Sequence, residues 1–142
     1  MEPKKDYGLF HVAQKILLKK DGKILFLKMS NGKWDFPGGR IDNDEYTSPL
    51  TSALAREIRE ELGQGIVYNL GPLAMQFRRY VANRDMYVFI TVFEAAYVSG
   101  TETLSFEHVG SEWIDPDTFS FVPDEFCNAE EYEAVMNYFG RK

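Results

Sequence analysis

Three glutamates, Glu57, Glu60 and Glu61, stand close together in the run Arg56-Glu57-Ile58-Arg59-Glu60-Glu61-Leu62-Gly63. On a helix advancing roughly 100° per residue they fall within a sector of about 100°, while Leu54, Ile58 and Leu62 share a separate apolar face. Carboxylates three and four positions apart repel one another by about 0.2–0.5 kcal/mol per pair. They also crowd the last two turns, where the helix dipole is partially negative and disfavours anions. A helix facing only water would carry its acids in the first turn, and here Pro49-Leu50-Thr51-Ser52 carries none. The arrangement makes sense if a divalent cation sits on the acidic face. Hard Mg²⁺ takes carboxylate oxygens, retains several waters and shares its sphere with substrate phosphates. The competing reading is a surface ion-pair network, since Arg56 and Glu60 are themselves one helical turn apart.

The elements that must position this face extend outward from it. Ser48-Pro49 predicts the helix start, with serine as N-cap and proline at the first helical position, and Gly63 predicts its end. Ahead of it, β-rich runs over residues 9–19 and 24–29 flank Asp21-Gly22, a strong hairpin signal. Residues 34–44, with Pro37-Gly38-Gly39, read as an irregular loop. Behind it, strands are expected over residues 73–81 and 86–98, joined by Asn83-Arg84-Asp85, with a short strand at 112–114. A final helix over 124–139 would place Tyr132, Val135, Met136 and Phe139 on one face. Strands interleaved with two separated helices make an α/β layered domain. The chain has no repeat, linker or low-complexity tract, so its 142 residues suit one domain over 1–142.

Composition narrows the chemistry. With 44% hydrophobic and 27% charged residues the chain is not disordered, and its 15% aromatic content supplies ring surface for a core or a ligand. A net charge of -6 without a long basic stretch argues against a duplex nucleic-acid partner, whose binding rests on phosphate neutralisation. A small phosphorylated substrate stays compatible if a metal supplies the positive charge. Cys127 is the only cysteine, which excludes an internal disulfide and a cysteine-built zinc site. No run approaches the ~20 apolar residues that span a bilayer, so no membrane partner is expected. The start lacks the apolar stretch of a signal peptide, and a cytoplasmic location is expected.

The segment Trp34-Asp35-Phe36-Pro37-Gly38-Gly39-Arg40-Ile41-Asp42-Asn43-Asp44-Glu45 leads directly into the acidic helix. Adjacent glycines let the backbone approach a ligand closely. Together, loop and helix resemble the Nudix box, G-x5-E-x7-R-E-U-x-E-E-x-G-U, with U a bulky aliphatic residue. Gly39 and Glu45 match its first part, and the run from Arg56 to Gly63 matches its second. The chain departs from the pattern twice. Ten residues rather than seven separate Glu45 from Arg56, which leaves the reach of Glu45 to Arg56 open, and Gln64 stands where an aliphatic residue is usual. Members of the family usually carry a further acid shortly before a tryptophan-containing strand. Glu107, six residues before Trp113, resembles it, with Glu102 and Glu112 as rivals.

The resemblance implies a Nudix fold, an α/β/α sandwich around a mixed β-sheet. It implies a hydrolase that cleaves a diphosphate bond in a nucleoside diphosphate linked to another moiety: a nucleoside triphosphate, dinucleoside polyphosphate or nucleotide sugar. Glu57, Glu60, Glu61, a Gly38 or Gly39 carbonyl and Glu107 would bind Mg²⁺ or Mn²⁺. Glu60 or Glu107 would take the proton of the attacking water, and Arg56 would orient the glutamates. Arg40, Arg78 and Tyr80 are the candidate substrate contacts. Lys28, Arg79 and Arg84 could also meet phosphates, and Phe77 and Tyr87 could stack on a base. For each of these, Arg40, Arg78 and Tyr80 included, the plainer reading is surface charge or core packing. His11 and His108 have no partner at metal-ligand spacing, and Cys127 reads as a small, partly buried residue. The alternative is a catalytically silent Nudix domain that binds nucleotide or a protein partner. Loss of a helix glutamate would favour it, and none is lost. The isopentenyl diphosphate isomerase relatives need a cysteine near mid-chain, which Cys127 is not. A homodimer stays open.

Overall fold

The structure, a computed structural model, describes residues 3–140. Met1, Glu2, Arg141 and Lys142, the ends of the expected single-domain span, lie outside the described residues. Among those described, seven strands form one mixed sheet flanked by two α-helices. In chain order they are β1 (Phe10–Lys20), β2 (Lys23–Met29), β3 (Trp34–Asp35), β4 (Gly38–Arg40), α1 (Leu50–Leu62), β5 (Val67–Val81), β6 (Met86–Ser99), β7 (His108–Ile114) and α2 (Ala129–Tyr138). The sheet runs β3-β2-β1-β6-β5, with β4 also paired to β1 and β7 to β2. β1 and β6 are parallel, whereas β1–β2, β1–β4, β2–β7 and β5–β6 are antiparallel.

β1 and β2 do not alternate in sequence because both sheet faces are covered. Leu17, Ile24 and Phe26 pack with Val135 and Met136 of α2, whereas their neighbours Ile16, Leu18, Leu25 and Leu27 pack with Leu54, Ile58 and Leu62 of α1. The result is the α/β/α sandwich, one apolar layer on each side. At the β1–β2 turn Asp21 and Gly22 have φ of 52° and 77°, the two-residue geometry that matches strand twist. No helix among the described residues is long and apolar enough to cross a membrane.

Several boundaries differ from expectation. Residues 34–44 are not wholly irregular: β3 and β4 add to β2 and β1, and a 3-10 turn spans Asn43–Glu45. Helix α1 begins one residue later than expected, with Pro49 as its N-cap and no side-chain cap. Ser48 is taken up by the preceding turn, its amide donating to the Glu45 carbonyl at 3.0 Å. Helix α2 starts at Ala129, not near Asp124. Asn128 caps it by accepting the Glu131 amide at 2.9 Å, and its own amide group donates to the Arg78 carbonyl at 2.9 Å.

Candidate active site

Two glycines let the loop press against the acidic helix. Gly38 has φ of 139°, and a Cβ there would stand 2.1 Å from the Gln14 carbonyl oxygen. A Cβ on Gly39 would stand 2.2 Å from Oε2 of Glu57. Only glycine lets β4 lie this close to both β1 and α1.

Arg56 is the hub of the acidic face. Its Nε and Nη2 donate to the two oxygens of Glu45 at 2.9 and 2.6 Å, a fork-on-fork pair. It also lies 2.9 Å from Glu57, 3.0 Å from Glu60 and 3.5 Å from Asp42. The longer Glu45–Arg56 interval is therefore absorbed by the turn after Glu45 without breaking the contact. The Arg56 hydrogen bonds, with one from the Asp42 amide, hold the Glu45 carboxyl at about 2. Burial instead raises Glu57 against the pull of Arg56, and Glu60 and Glu61 add to the rise.

Behind this face runs a buried chain of charges. Asp35 meets Lys15 at 3.1 Å, Arg79 at 3.3 Å and His108 Nε2 at 3.1 Å. Arg79 continues to Glu131 of α2 at 2.7 Å. On the other side of the imidazole, Nδ1 lies 2.8 Å from Oε2 of Glu61, an ionic contact that leaves both atoms without an aligned hydrogen-bond partner. Burial opposes the charge on His108, but Asp35 and Glu61 outweigh it and raise its pKa to about 9. Burial likewise opposes charge on Asp35, yet Lys15, Arg79 and His108 hold it well below the usual carboxylate range.

Both clusters border one cleft of about 710 Å³. Glu57, Glu60, Glu61, Gly39, Arg56, Arg40 and Glu107 all line it, and Glu102 and Glu112 do not. Its apolar lining residues are Ala13, Met29, Val81, Val88, Ile90 and Phe106. Arg78 and Tyr80 fall elsewhere. Side chains alternate along β5, so Arg79 reaches the cleft while Arg78 and Tyr80 do not; they line a second groove, which Arg79 also borders. There Arg78 pairs with Glu130 at 2.7 Å and the Tyr80 hydroxyl donates to Asp85 at 2.7 Å. Phe77 is core, Tyr87 lies in the second groove, and Lys28 pairs with Glu125 at 3.0 Å. Sequence reasoning passed over Lys15, Asp35 and Glu131, found no metal-ligand partner for His108, and preferred a surface charge for Arg79, which instead lies mostly buried between Asp35 and Glu131. The available signal was slight: a lysine within an apolar β-run and an aspartate next to buried aromatics.

The donor chemistry fits a hard divalent cation. Carboxylates outnumber cations on the acidic face, and Glu61 Oε2 is a buried oxygen without a hydrogen-bond partner. Among the described residues no three His, Cys, Asp or Glu side chains are already gathered as a metal-holding group. Glu57 and Glu60 turn to Arg56, and Glu61 turns to His108. Such an open arrangement suits Mg²⁺, which binds through one or two carboxylates together with waters and substrate phosphates.

The family profile described as NUDIX domain matches residues 10–136. The chain is 30% identical to a MutT-like protein of Streptomyces ambofaciens over 74% of its own length and 63% of the relative's, so it spans less than two thirds of that protein. It is 30% identical to a CTP pyrophosphohydrolase of Escherichia coli K12, covering 84% of this chain and 87% of the relative. A nucleoside triphosphatase NudI of Salmonella arizonae is 26% identical, covering 73% of this chain and 81% of the relative. Among solved structures, the MutT protein of Methanosarcina mazei Go1 superposes with a TM-score of 0.73 at 25% identity, over 96% of this chain and 97% of that one.

Proposed function

The chain belongs to the NUDIX domain family, whose hydrolases cleave phosphorus-containing anhydrides, and from that premise we propose that it hydrolyses a diphosphate linkage of a nucleoside triphosphate with Mg²⁺ or Mn²⁺. The observation that carries this reading is the convergence of Glu57, Glu60, Glu61 and Glu107 on one cleft with an aliphatic wall. The wall offers apolar surface to a nucleoside while the acids attend to its phosphates. The nucleotide class is supported by similarity to proteins named as a CTP pyrophosphohydrolase and nucleoside triphosphatases.

Glu57, Glu60 and Glu61, with the Gly39 carbonyl, would hold the cation, and Arg56 keeps Glu57 and Glu60 in register. When bound, a divalent cation neutralises the diphosphate and makes water a competent nucleophile near neutral pH. Arg40, at the cleft and 3.2 Å from Nδ1 of His11, meets a phosphate. Glu107 takes the proton of the attacking water as the new P–O bond forms and the bridging P–O bond breaks toward the leaving phosphate. The test is a screen of nucleoside triphosphates, dinucleoside polyphosphates and nucleotide sugars with Mg²⁺, with products identified. Triphosphates are expected to be cut fastest, and a chelator should abolish turnover. Nucleotide binding without turnover in the presence of Mg²⁺ would make the protein a silent binding module instead.

A further inference from the structure

Phe106 is 97% exposed, the most exposed large hydrophobic side chain among the described residues. It is also a lining residue of the cleft, where no other phenyl, phenol or indole ring is found among the described residues. The rings elsewhere on neighbouring strands are committed: Phe77 is buried in the core, and Tyr80 and Tyr87 face each other 5.0 Å apart in the second groove. Apart from Phe106, the apolar lining of the cleft is Ala13, Met29, Val81, Val88 and Ile90, so it holds a single ring, and that ring is exposed. A flat aromatic ligand lying on that lining would leave one π-face open.

The segment that carries Phe106 is anchored on both sides. The Thr103 amide donates to the Leu62 carbonyl at 2.8 Å and the Ser105 amide to the Glu61 carbonyl at 3.2 Å, so the end of α1 holds the approach. On the far side the His108 amide donates to the Ser105 carbonyl at 3.4 Å, and the His108 side chain is buried against Asp35 and Glu61. This makes Ser105–His108 a β-turn with Phe106 and Glu107 at its two central positions. An exposed ring and a carboxylate that both line the cleft thus share one two-residue tip.

We propose that Phe106 stacks on the nucleobase of the substrate and so makes the cleft selective for nucleotides over diphosphates that lack an aromatic ring. This rests on the nucleotide reading of the cleft and deepens it. Phe106 is a binding residue here.

The experiment compares wild type, Phe106→Ala and Phe106→Trp. Stacking of a base on an aromatic side chain is lost on alanine substitution, so KM for nucleoside triphosphates should rise about 10- to 100-fold in Phe106→Ala. Inorganic triphosphate, which has no base, should inhibit wild type and Phe106→Ala with equal Ki. Phe106→Trp should keep more of the affinity than Phe106→Ala. Its added indole emission should be quenched by a nucleoside triphosphate carrying an α,β-methylene bridge, a readout independent of turnover. Wild-type turnover of nucleotides with unchanged KM in Phe106→Ala, or Phe106→Trp emission unmoved at saturating analogue, would overturn the proposal alone. A wild-type protein that turns over none of the nucleotides would overturn the proposed function, and this proposal with it.

Discussion

Two charge clusters meet at Glu61, and their balances differ. On the acidic face one guanidinium, Arg56, confronts four carboxylates, those of Asp42, Glu45, Glu57 and Glu60. In the buried chain three cations, Lys15, Arg79 and His108, face three carboxylates, Asp35, Glu131 and Glu61. A balanced buried set is complete by itself and its members fix one another; losing any one leaves an uncompensated charge in low dielectric. On the proposed function, an unbalanced set at a cleft would be completed by a cation from outside, so that excess charge marks the working surface and balance the frame behind it.

The largest expected effect comes from breaking the unbalanced side. Glu60→Gln removes charge at constant size from a half-exposed position and should lower kcat about 100-fold or more, as for loss of a major electrostatic stabiliser. Its melting temperature without metal should hold or rise, while the rise produced by Mg²⁺ in the wild type should shrink. Glu107→Gln should lower kcat comparably with little change in KM, and Glu102→Gln and Glu112→Gln, which lie off the cleft, should be nearly silent. Steady-state kinetics at saturating Mg²⁺ decides. Near wild-type rates in both Glu60→Gln and Glu107→Gln would reduce the face to a charged surface.

Breaking the balanced side should show in stability, with or without metal. Asp35→Asn leaves Lys15, Arg79 and His108 with two carboxylates between them, in a place where Asp35 is only 6% exposed. Removing one partner from a buried charge set costs about 3–5 kcal/mol. Urea unfolding should show it as an earlier midpoint that shifts alike in Mg²⁺ and in chelator. An unchanged midpoint would mean that the chain of contacts does not hold the fold.

The same contrast explains what could be read from the residues alone. The acidic face lies within one helix and one loop, so its spacing in sequence is nearly its spacing in space. The two cores leave a mark in sequence, since Leu17 and Leu18 point to opposite faces of a strand and continuous apolar runs need a layer on each side. The buried chain draws one residue each from β1, β3, β5, β7, α1 and α2, and no local pattern links them. Arg78 and Arg79 show the limit most plainly: adjacent and chemically alike, they differ only in strand phase, which carries one to Glu130 at the surface and the other to Asp35. Phe106 was passed over because a ring in a polar loop has no periodicity to mark it.

The smallest effect separates members of the unbalanced cluster from one another by pH. Arg56 and the Asp42 amide hold folded Glu45 at about 2, against 4.5 for the free group. A carboxylate with a depressed folded value contributes stability that is fully present above about pH 4.5 and is lost as pH falls toward 2. Glu57 runs the other way: burial raises its folded value, so protonation relieves it and its contribution to stability improves on acidification. Melting temperatures followed from pH 6 down to about 2.5 in chelator should therefore fall less steeply in Glu45→Gln than in wild type, and more steeply in Glu57→Gln. Asp35 is also held low, but by its buried partners, which are the same in all three proteins, so its contribution cancels from the comparison. The shifts should be modest because the Arg56–Glu45 pair is partly open to solvent and screened by it. Parallel curves for Glu45→Gln and wild type would mean that the fork between Arg56 and Glu45 adds nothing to the folded state, and that the extra turn after Glu45 is tolerated for some other reason.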